Sequence, residues 1–412
     1  MIDFKETTLA NGLKVIAHRD TSTPMAALNI LYKVGARDED PKMTGFAHLF
    51  EHLMFGGTPD IPEYDVEVQN MGGENNAFTT NDYTNYYVTF PKDNLEVAFW
   101  VEADRMKGLA FTQKSLGVQK NVVIEEFKQR YLNQPYGDAW LKLRPVIYKK
   151  HPYRWATIGE KIEHIEKAEL QDVKDFFYRY YLPNNAVLVF TGDVEEDKIF
   201  ALADKYFGSI PSGEIRRQNY EQEPEQKEFR EVNSDVKVPV KCFYYAYPMV
   251  ERKAEDYYAT DLLSDILARG MSSRFYLKLV KEKSLFSEIS AYVTGSLDAG
   301  LFIIHAMLAD GVDMDLAKAE LQKEIDQLLI EGVSENELRK VVNKSETSLV
   351  YSEMNVLNKA MNLAFFELLD KASSVNEQQK KYNEVTPAAV LKVAKNILRK
   401  ENCTCLNYKN VG

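Results

Sequence analysis

The segment HLFEH places His48, Glu51 and His52 close together, and these are the residues best suited to do chemistry. On a helix, side chains four residues apart lie on the same face, so both imidazoles can reach one metal ion. Glu51 projects near that face, where its carboxylate could take a proton from a water molecule at the metal. Because the chain has only 6 histidines, such a pattern arises by chance in about one of a hundred similar sequences. The segment therefore predicts a metal site with a general base.

A third ligand is needed, because a catalytic zinc ion usually takes three protein ligands and leaves one position for water. Glu125 and Glu126 are the downstream candidates, in the helix predicted around VVIEEFKQR. Spacing alone does not choose between them. The alternative is that His48 and His52 are helix-surface residues with ordinary hydrogen bonds, since short motifs also occur without a metal.

Turn residues and hydrophobic spacing indicate the elements that must position these side chains. Asn11-Gly12 predicts a hairpin at the start of the chain, and extended runs are predicted at 26–36 and 85–90. Helical spacing of apolar residues marks the segment GFAHLFEHLMF and a longer one after Thr112. The motif is thus expected on a helix that follows a strand.

The length of 412 residues predicts two or more domains. A charged stretch with few aliphatic residues is typical of a linker, so we predict a zinc-binding domain at 1–212, a linker at 213–240 and a second domain at 241–412. Both halves mix strands and helices in a similar order, which indicates at most a diverged duplication.

Charge and cysteine content narrow the class of protein. The net charge of −11 argues against a broad nucleic-acid-binding surface. The 3 cysteines cannot form a full disulfide framework, which favours a reducing compartment. No apolar run is long enough to span a bilayer, so no membrane partner is expected. We expect a cytoplasmic protein, or a periplasmic one if a signal peptide has been removed.

Several motifs together resemble the pitrilysin (M16) family of zinc peptidases, also called inverzincins. They are HLFEH, the GGT that follows it, GGENNAFTTNDYTNYY, VVIEE, HPYRWATIG, YYLPNNAVLVFTGDV and GMSSRFYLKL, in the family's order and at similar intervals. The resemblance implies an α+β fold of two homologous domains, each a mostly antiparallel sheet packed with helices. It also implies one zinc ion (Zn2+) per chain and a metalloendopeptidase that hydrolyses short unfolded peptides.

The resemblance also assigns individual residues. A valine three residues before the family's third ligand matches Val123, which implies Glu126 as the ligand. The glutamate that supports this ligand in the family is replaced by Gln119, a neutral amide that can still form hydrogen bonds. The stretch Asn76, Ala77, Phe78 and Thr79 resembles the edge strand that binds substrate by strand addition, and its first three residues are the predicted substrate-binding residues.

One departure from the family concerns the second half of the chain. Active relatives carry an arginine after the GxSSR segment and a tyrosine seven residues later, which bind substrate and the tetrahedral intermediate. Counting from Arg274, Val280 and Ser287 occupy these positions. The resemblance therefore implies a heterodimer with a homologous subunit that supplies the missing pair, with a homodimer as the alternative. A different function is also compatible with the gap: a non-catalytic peptide-binding or assembly subunit of a peptidase complex.

Overall fold

The chain forms two mixed sheets with helices packed on them in the computed structural model, which describes residues 1–215, 217 and 220–410. The strands are β1 (Lys5–Thr8), β2 (Lys14–Arg19), β3 (Met25–Tyr32), β4 (Glu74–Thr79), β5 (Thr84–Pro91), β6 (Ala186–Gly192), β7 (Arg230–Val236), β8 (Cys242–Pro248), β9 (Phe286–Val293), β10 (Leu301–Leu308) and β11 (Thr404–Asn410). The helices are α1 (Phe46–Leu53), α2 (Tyr64–Asn70), α3 (Leu95–Lys107), α4 (Gln113–Phe127), α5 (Ala139–Ile147), α6 (Ile162–Glu166), α7 (Leu170–Tyr180), α8 (Glu196–Phe207), α9 (Tyr257–Ala268), α10 (Met314–Glu331), α11 (Glu335–Ser352), α12 (Val356–Leu369), α13 (Gln378–Asn383) and α14 (Pro387–Ile397).

The two sheets share one topology. The first has the order β1-β2-β6-β3-β5-β4 and the second β7-β11-β8-β10-β9. In each sheet one pair is parallel, β2 with β6 and β7 with β11, and the other neighbours are antiparallel. Without β1, both sheets place their strands in the chain order first, fifth, second, fourth, third. This repetition confirms the predicted α+β fold of two homologous domains.

The described residues form two compact units, and each unit combines three segments of the chain. The first takes Met1–Gln129, Trp155–Tyr220 and Val350–Glu377. The second takes Arg130–Arg154, Glu221–Leu349 and Gln378–Gly412.

The predicted division at 1–212, 213–240 and 241–412 is continuous along the chain and stays a prediction. Positions 216, 218, 219, 411 and 412, which fall within it, lie outside the described residues. Part of the predicted linker forms β7, an edge strand beside β11. An edge strand with exposed faces accommodates the charged side chains that made this segment resemble a linker.

Helix α12 covers one face of the first sheet. Its buried side chains, including Ala360, Leu363 and Ala364, pack with Ile16 and Val189 of the sheet in one apolar cluster. Two polar contacts fix the start of this helix: Thr191 Oγ1 donates to Val356 O at 2.6 Å, and Lys359 Nζ donates to Asp20 Oδ2 at 2.7 Å. A helix encoded between β10 and β11 therefore completes the core of the first unit.

Helix α5 has the reciprocal role in the second unit. It is encoded between β5 and β6, yet Leu143 and Ile147 pack with Cys242, Ile303 and Leu406 of the second sheet. Each sheet is thus covered on one face by a helix that comes from the other half of the sequence.

The local predictions of a turn and two extended runs agree with the structure in most of their extent. Gly12 has a φ of +86° in the turn between β1 and β2, which are antiparallel. The predicted run 85–90 lies within β5, whereas the run 26–36 becomes strand only through Tyr32 and ends in a short 3₁₀ turn at Ala36–Asp38. Within the described residues, no helix combines the length and apolar character that a bilayer crossing requires.

Candidate metal centre

Helix α1 carries His48, Glu51 and His52 on its open side and is held through its opposite side. Leu49, Phe50 and Leu53 are buried on that side. The Phe50 ring lies 4.5 Å from the ring of Tyr181 and 5.4 Å from that of Phe176, centroid to centroid. Because the apolar side is packed among aromatic rings, the two imidazoles are turned outward as the spacing of the motif predicts.

Helix α4 brings a carboxylate to the two imidazoles. Its N-cap is Thr112, whose side chain accepts from Ser115 N at 3.0 Å. Buried Val123 and Phe127 fix the inner face of the helix, and Glu126 lies at the edge of that face. Glu126 Oε2 is 3.7 Å from His48 Nε2 and 3.4 Å from His52 Nε2.

Glu125, the other glutamate left open by spacing, points elsewhere. Its side chain is 60% exposed and pairs with Lys128 Nζ at 2.7 Å. Residues that are adjacent on a helix point about 100° apart, so only one of the two can face α1. The structure places Glu126 there.

The donor atoms suit a zinc ion in both kind and spacing. One ligand atom from each of His48, His52 and Glu126 lies within 4.8 Å of the others, and this is a group that could hold a metal ion. Two nitrogens and one carboxylate oxygen are a common catalytic zinc ligand set. Bonds of about 2.0 to 2.1 Å in a tetrahedron imply ligand separations of about 3.3 Å, close to the observed 3.4 and 3.7 Å.

Glu51 lies beside this group and is held by the end of β4. Thr79 Oγ1 donates to Glu51 Oε2 at 2.6 Å. Burial raises the pKa of the Glu51 carboxyl above its ordinary value, and the hydrogen bond from Thr79 opposes that rise. One hydroxyl therefore fixes one oxygen of this carboxylate, next to the second histidine of the motif.

A cleft of about 280 Å³ opens next to the metal-binding group. Its walls are formed by Glu51, His52, Phe55, Asp65, Asn75 and Asn76. Strand β4 is the edge of the first sheet and pairs only with β5 among the described strands. The predicted substrate-binding residue Asn76 thus shares a cleft with the predicted base.

The other two predicted substrate-binding residues also lie on β4. Ala77 N donates to Asn76 Oδ1 at 2.8 Å, so an amide side chain meets this backbone donor. The Phe78 ring contacts Tyr83 edge-on, 5.9 Å between centroids, and does not line the cleft. The predicted strand lies at the site, but only Asn76 of its three predicted residues lines the cleft.

A buried ion pair supports the cleft wall and was missed in the sequence. Arg105 and Glu102 are each 1% exposed, with Arg105 Nε donating to Glu102 Oε2 at 2.9 Å. The guanidinium carbon lies 5.4 Å from the ring centroid of Phe55 and 4.6 Å from that of Tyr64. An acid and an arginine three residues apart on a helix were the available signal, since that spacing permits an ion pair.

Gln119 lies on α4 seven residues before Glu126, so both side chains share one side of the helix. In the second unit, Val280 lies in the helical segment Tyr276–Glu282. Ser287 lies on β9 and donates through Oγ to Leu308 O at 3.2 Å. Both positions that would carry the arginine and tyrosine are therefore ordinary structural positions here.

Two family models match the chain. Residues 14–139, which include the metal-binding group, match the model described as insulinase (peptidase family M16). Residues 167–345, which include positions 280 and 287, match the model described as peptidase M16 inactive domain.

Named relatives and solved structures give the same likeness. The zinc protease PqqE of Helicobacter pylori is 32% identical over 332 residues, which cover 79% of this chain and 73% of that protein. The crystal structure of a protease from Helicobacter pylori is similar at a TM-score of 0.93 and 26% identity, over 99% of this chain and 100% of that one. The periplasmic protease PqqL of Escherichia coli shares the fold at a TM-score of 0.81 and 19% identity, over 100% of this chain and 48% of that one.

Proposed function

We propose, from the premise that this chain belongs to peptidase family M16, that it is a zinc metalloendopeptidase acting on short unfolded peptides. His48, His52 and Glu126 would hold one zinc ion, and Glu51 would act as general base. The observation that carries the proposal is the meeting of these three donors, all within 4.8 Å of one another, beside a fixed carboxylate.

A zinc ion in this site would supply Lewis-acid chemistry, polarising the scissile carbonyl and making water acidic enough to lose a proton near neutral pH. Glu51 accepts that proton on its carboxylate and later donates it to the leaving amine nitrogen. Thr79 Oγ1 donates to Glu51 Oε2 and so fixes the orientation of the carboxylate that carries the proton.

Substrate binding is proposed at β4. An extended peptide could add to the free edge of this strand and would then run along the cleft that Glu51 and His52 line. In the free protein Ala77 N donates a hydrogen bond to the side chain of Asn76. A peptide that bound here would replace this hydrogen bond with one to its own backbone. Affinity would come from backbone groups, which suits substrates without a fixed sequence.

A homologous partner subunit is the second part of the proposal. The positions that would bear the arginine and tyrosine are Val280 and Ser287, and the segment containing them matches a model described as an inactive domain. The fold of this chain also corresponds to 48% of the longer PqqL chain. A heterodimer with a homologous subunit, or a homodimer, would provide a second pair of domains.

The same gap favours a second candidate function, a non-catalytic peptide-binding or assembly subunit. That candidate predicts peptide binding without cleavage. It gives no role to Glu51, whereas the peptidase proposal requires this residue. Cleavage that is lost when Glu51 is substituted would therefore favour the peptidase.

The test is digestion of a mixed peptide library by the purified chain, read by mass spectrometry, with Glu51→Gln beside it. We expect turnover to fall by about 10²- to 10⁴-fold in the variant, while zinc content stays at the wild-type level. Glu125→Gln removes a neighbouring exposed carboxylate and serves as the matched control, with turnover unchanged.

Cleavage that survives in Glu51→Gln would refute the assigned base. Zinc-loaded protein that binds peptides and cleaves none would support the non-catalytic candidate, unless addition of a homologous subunit restores cleavage.

A further inference from the structure

A buried carboxylate, Glu39, lies at the start of the helix that carries the proposed metal ligands. It is only 2% exposed and precedes the N-cap residue of α1, Gly45, by six positions. No part of the mechanism above uses it. A charged group is expensive to bury unless its oxygens have partners, so its contacts indicate what it does.

Both Glu39 oxygens accept backbone N–H groups of the first turn of α1. Gly45 N donates to Oε2 at 2.9 Å, and Ala47 N donates to Oε1 at 2.8 Å. The first N–H groups of any helix lack intrahelical partners, and Gly45 has no side chain to supply one. Because this turn is buried, Glu39 satisfies donors that water cannot reach. Burial raises the pKa of the Glu39 carboxyl well above its ordinary value, and the hydrogen bonds from Ala47 and Gly45 oppose that rise.

The segment that carries Glu39 is itself fixed to the loop after β4. Ala36 N donates to Thr80 O at 3.1 Å, and Arg37 N donates to Asn81 O at 2.9 Å. The buried side chain of Arg37 pairs with Asp82 at 3.1 Å. Glu39 is therefore a rigid link between the edge of the sheet and α1.

The start of α1 has no room to shift toward another partner. Gly45 has a φ of +88°, a conformation that other residues rarely adopt. A Cβ atom there would lie 2.5 Å from Ile158 O. The first turn is thus held between the 158–165 segment on one side and Glu39 on the other.

We propose that Glu39 is a positioning residue of the metal site, which sets where His48 and His52 stand relative to Glu126 by capping α1. Ala47, one of its two hydrogen-bond donors, directly precedes His48 in the chain. The inference rests on the proposed function, because it assumes that these residues bind zinc. Glu39 touches neither metal nor substrate.

The test compares Glu39→Ala and Glu39→Gln with the wild type by three measurements: zinc affinity in competition with a chelator, the absorption spectrum of the Co²⁺-substituted protein, and the thermal unfolding midpoint. We expect Glu39→Ala to weaken zinc binding by about tenfold or more, as losses around metal ligands commonly do, and to alter the cobalt bands. Glu39→Gln should fall between, because its amide oxygen can accept only part of the two N–H donations.

Glu324→Gln is the matched control, since it removes another buried carboxylate, on α10 in the second unit. It should lower the unfolding midpoint and leave zinc affinity unchanged. If Glu39→Ala does not fold, Glu39→Gln carries the comparison alone.

Wild-type zinc affinity and cobalt bands in both Glu39 variants would overturn the inference and leave the proposed function standing. Wild-type protein that binds no zinc would overturn both.

Discussion

Gln119 is the residue at which the proposed metal centre departs from the family pattern. It shares one side of α4 with Glu126, and the family resemblance implies a glutamate at this position that supports the ligand. A neutral amide contributes hydrogen bonds without charge, so it stabilises a cation less. We expect Gln119→Glu to tighten zinc binding by about tenfold, measured by competition with a chromogenic chelator.

The control for this substitution is Asn121→Asp, which adds the same charge at an exposed position of α4. It should leave zinc affinity almost unchanged, because solvent screens an exposed charge. Equal gains in the two variants would mean that net charge, and not the position of Gln119, controls the affinity.

At this scale the sequence revealed the side chains that lie within one helical turn. His48, Glu51 and His52 are readable because the spacing of a helix fixes their common face. The choice between Glu125 and Glu126 came only from resemblance, since it depends on which face of α4 is turned toward α1. The contacts of Thr79 with Glu51 and of Glu39 with α1 carry no local signal, because each depends on the path of the chain and not on spacing.

Among the elements, α12 depends on an ion pair for its attachment to the first sheet. Burial acts to raise the pKa of Asp20, but hydrogen bonds from Lys359 and Ser22 outweigh it and lower the pKa to about 2. A lowered carboxylate pKa stabilises the fold above the unfolded-state value near 3.8 and loses that contribution as pH falls toward 2.

We therefore expect Asp20→Asn to reduce the free energy of unfolding by about 2 kcal/mol at neutral pH. The difference from wild type should shrink as the pH falls below about 4 and nearly vanish near 2. Urea unfolding of both proteins across this range, followed by circular dichroism, gives the difference at each pH. Asp60→Asn, at an exposed position, should show no such dependence. A gap that stays constant with pH would contradict the role of the ion pair.

The elements themselves were predictable where local chemistry decides them. The predicted turn at Asn11-Gly12 is present between β1 and β2, although Gly12 alone of the two adopts a positive φ. The apolar faces of α5 and α12 were equally visible, yet their partners were not. An amphipathic pattern shows that a helix packs on something, and it carries no information about which sheet.

At the scale of the whole molecule, α12 covers the first sheet although it is encoded in the second half of the chain. We therefore predict that the first half of the chain does not fold alone. A fragment of residues 1–220 lacks α12, so Ile16 and Val189, which are fully buried in the intact chain, lose their cover. Exposed apolar surface of this kind gives a loosely packed state. We expect the fragment to bind a hydrophobic dye and to unfold without a sharp transition in calorimetry.

Residues 350–377 joined to the fragment through a flexible linker should restore a cooperative transition, since they complete the first unit. The matched control is the same fusion with Leu363→Asp, which places a charge in the apolar cluster and should not restore it. A cooperative transition in the unaided fragment would refute the requirement for α12.

Because α12 lies near the end of the chain, the ribosome makes it long after the strands of the first sheet. β6, the last strand of the first sheet, ends at Gly192, and α12 begins only at Val356. At 5 to 20 residues per second, a ribosome takes roughly 10 to 30 s to make the intervening residues. Throughout that interval every nascent chain contains all strands of the first sheet but not the helix that covers one apolar face of that sheet. Chaperones that hold emerging chains therefore have a defined surface to protect, and a ribosome that stalls before residue 356 releases a product prone to aggregate.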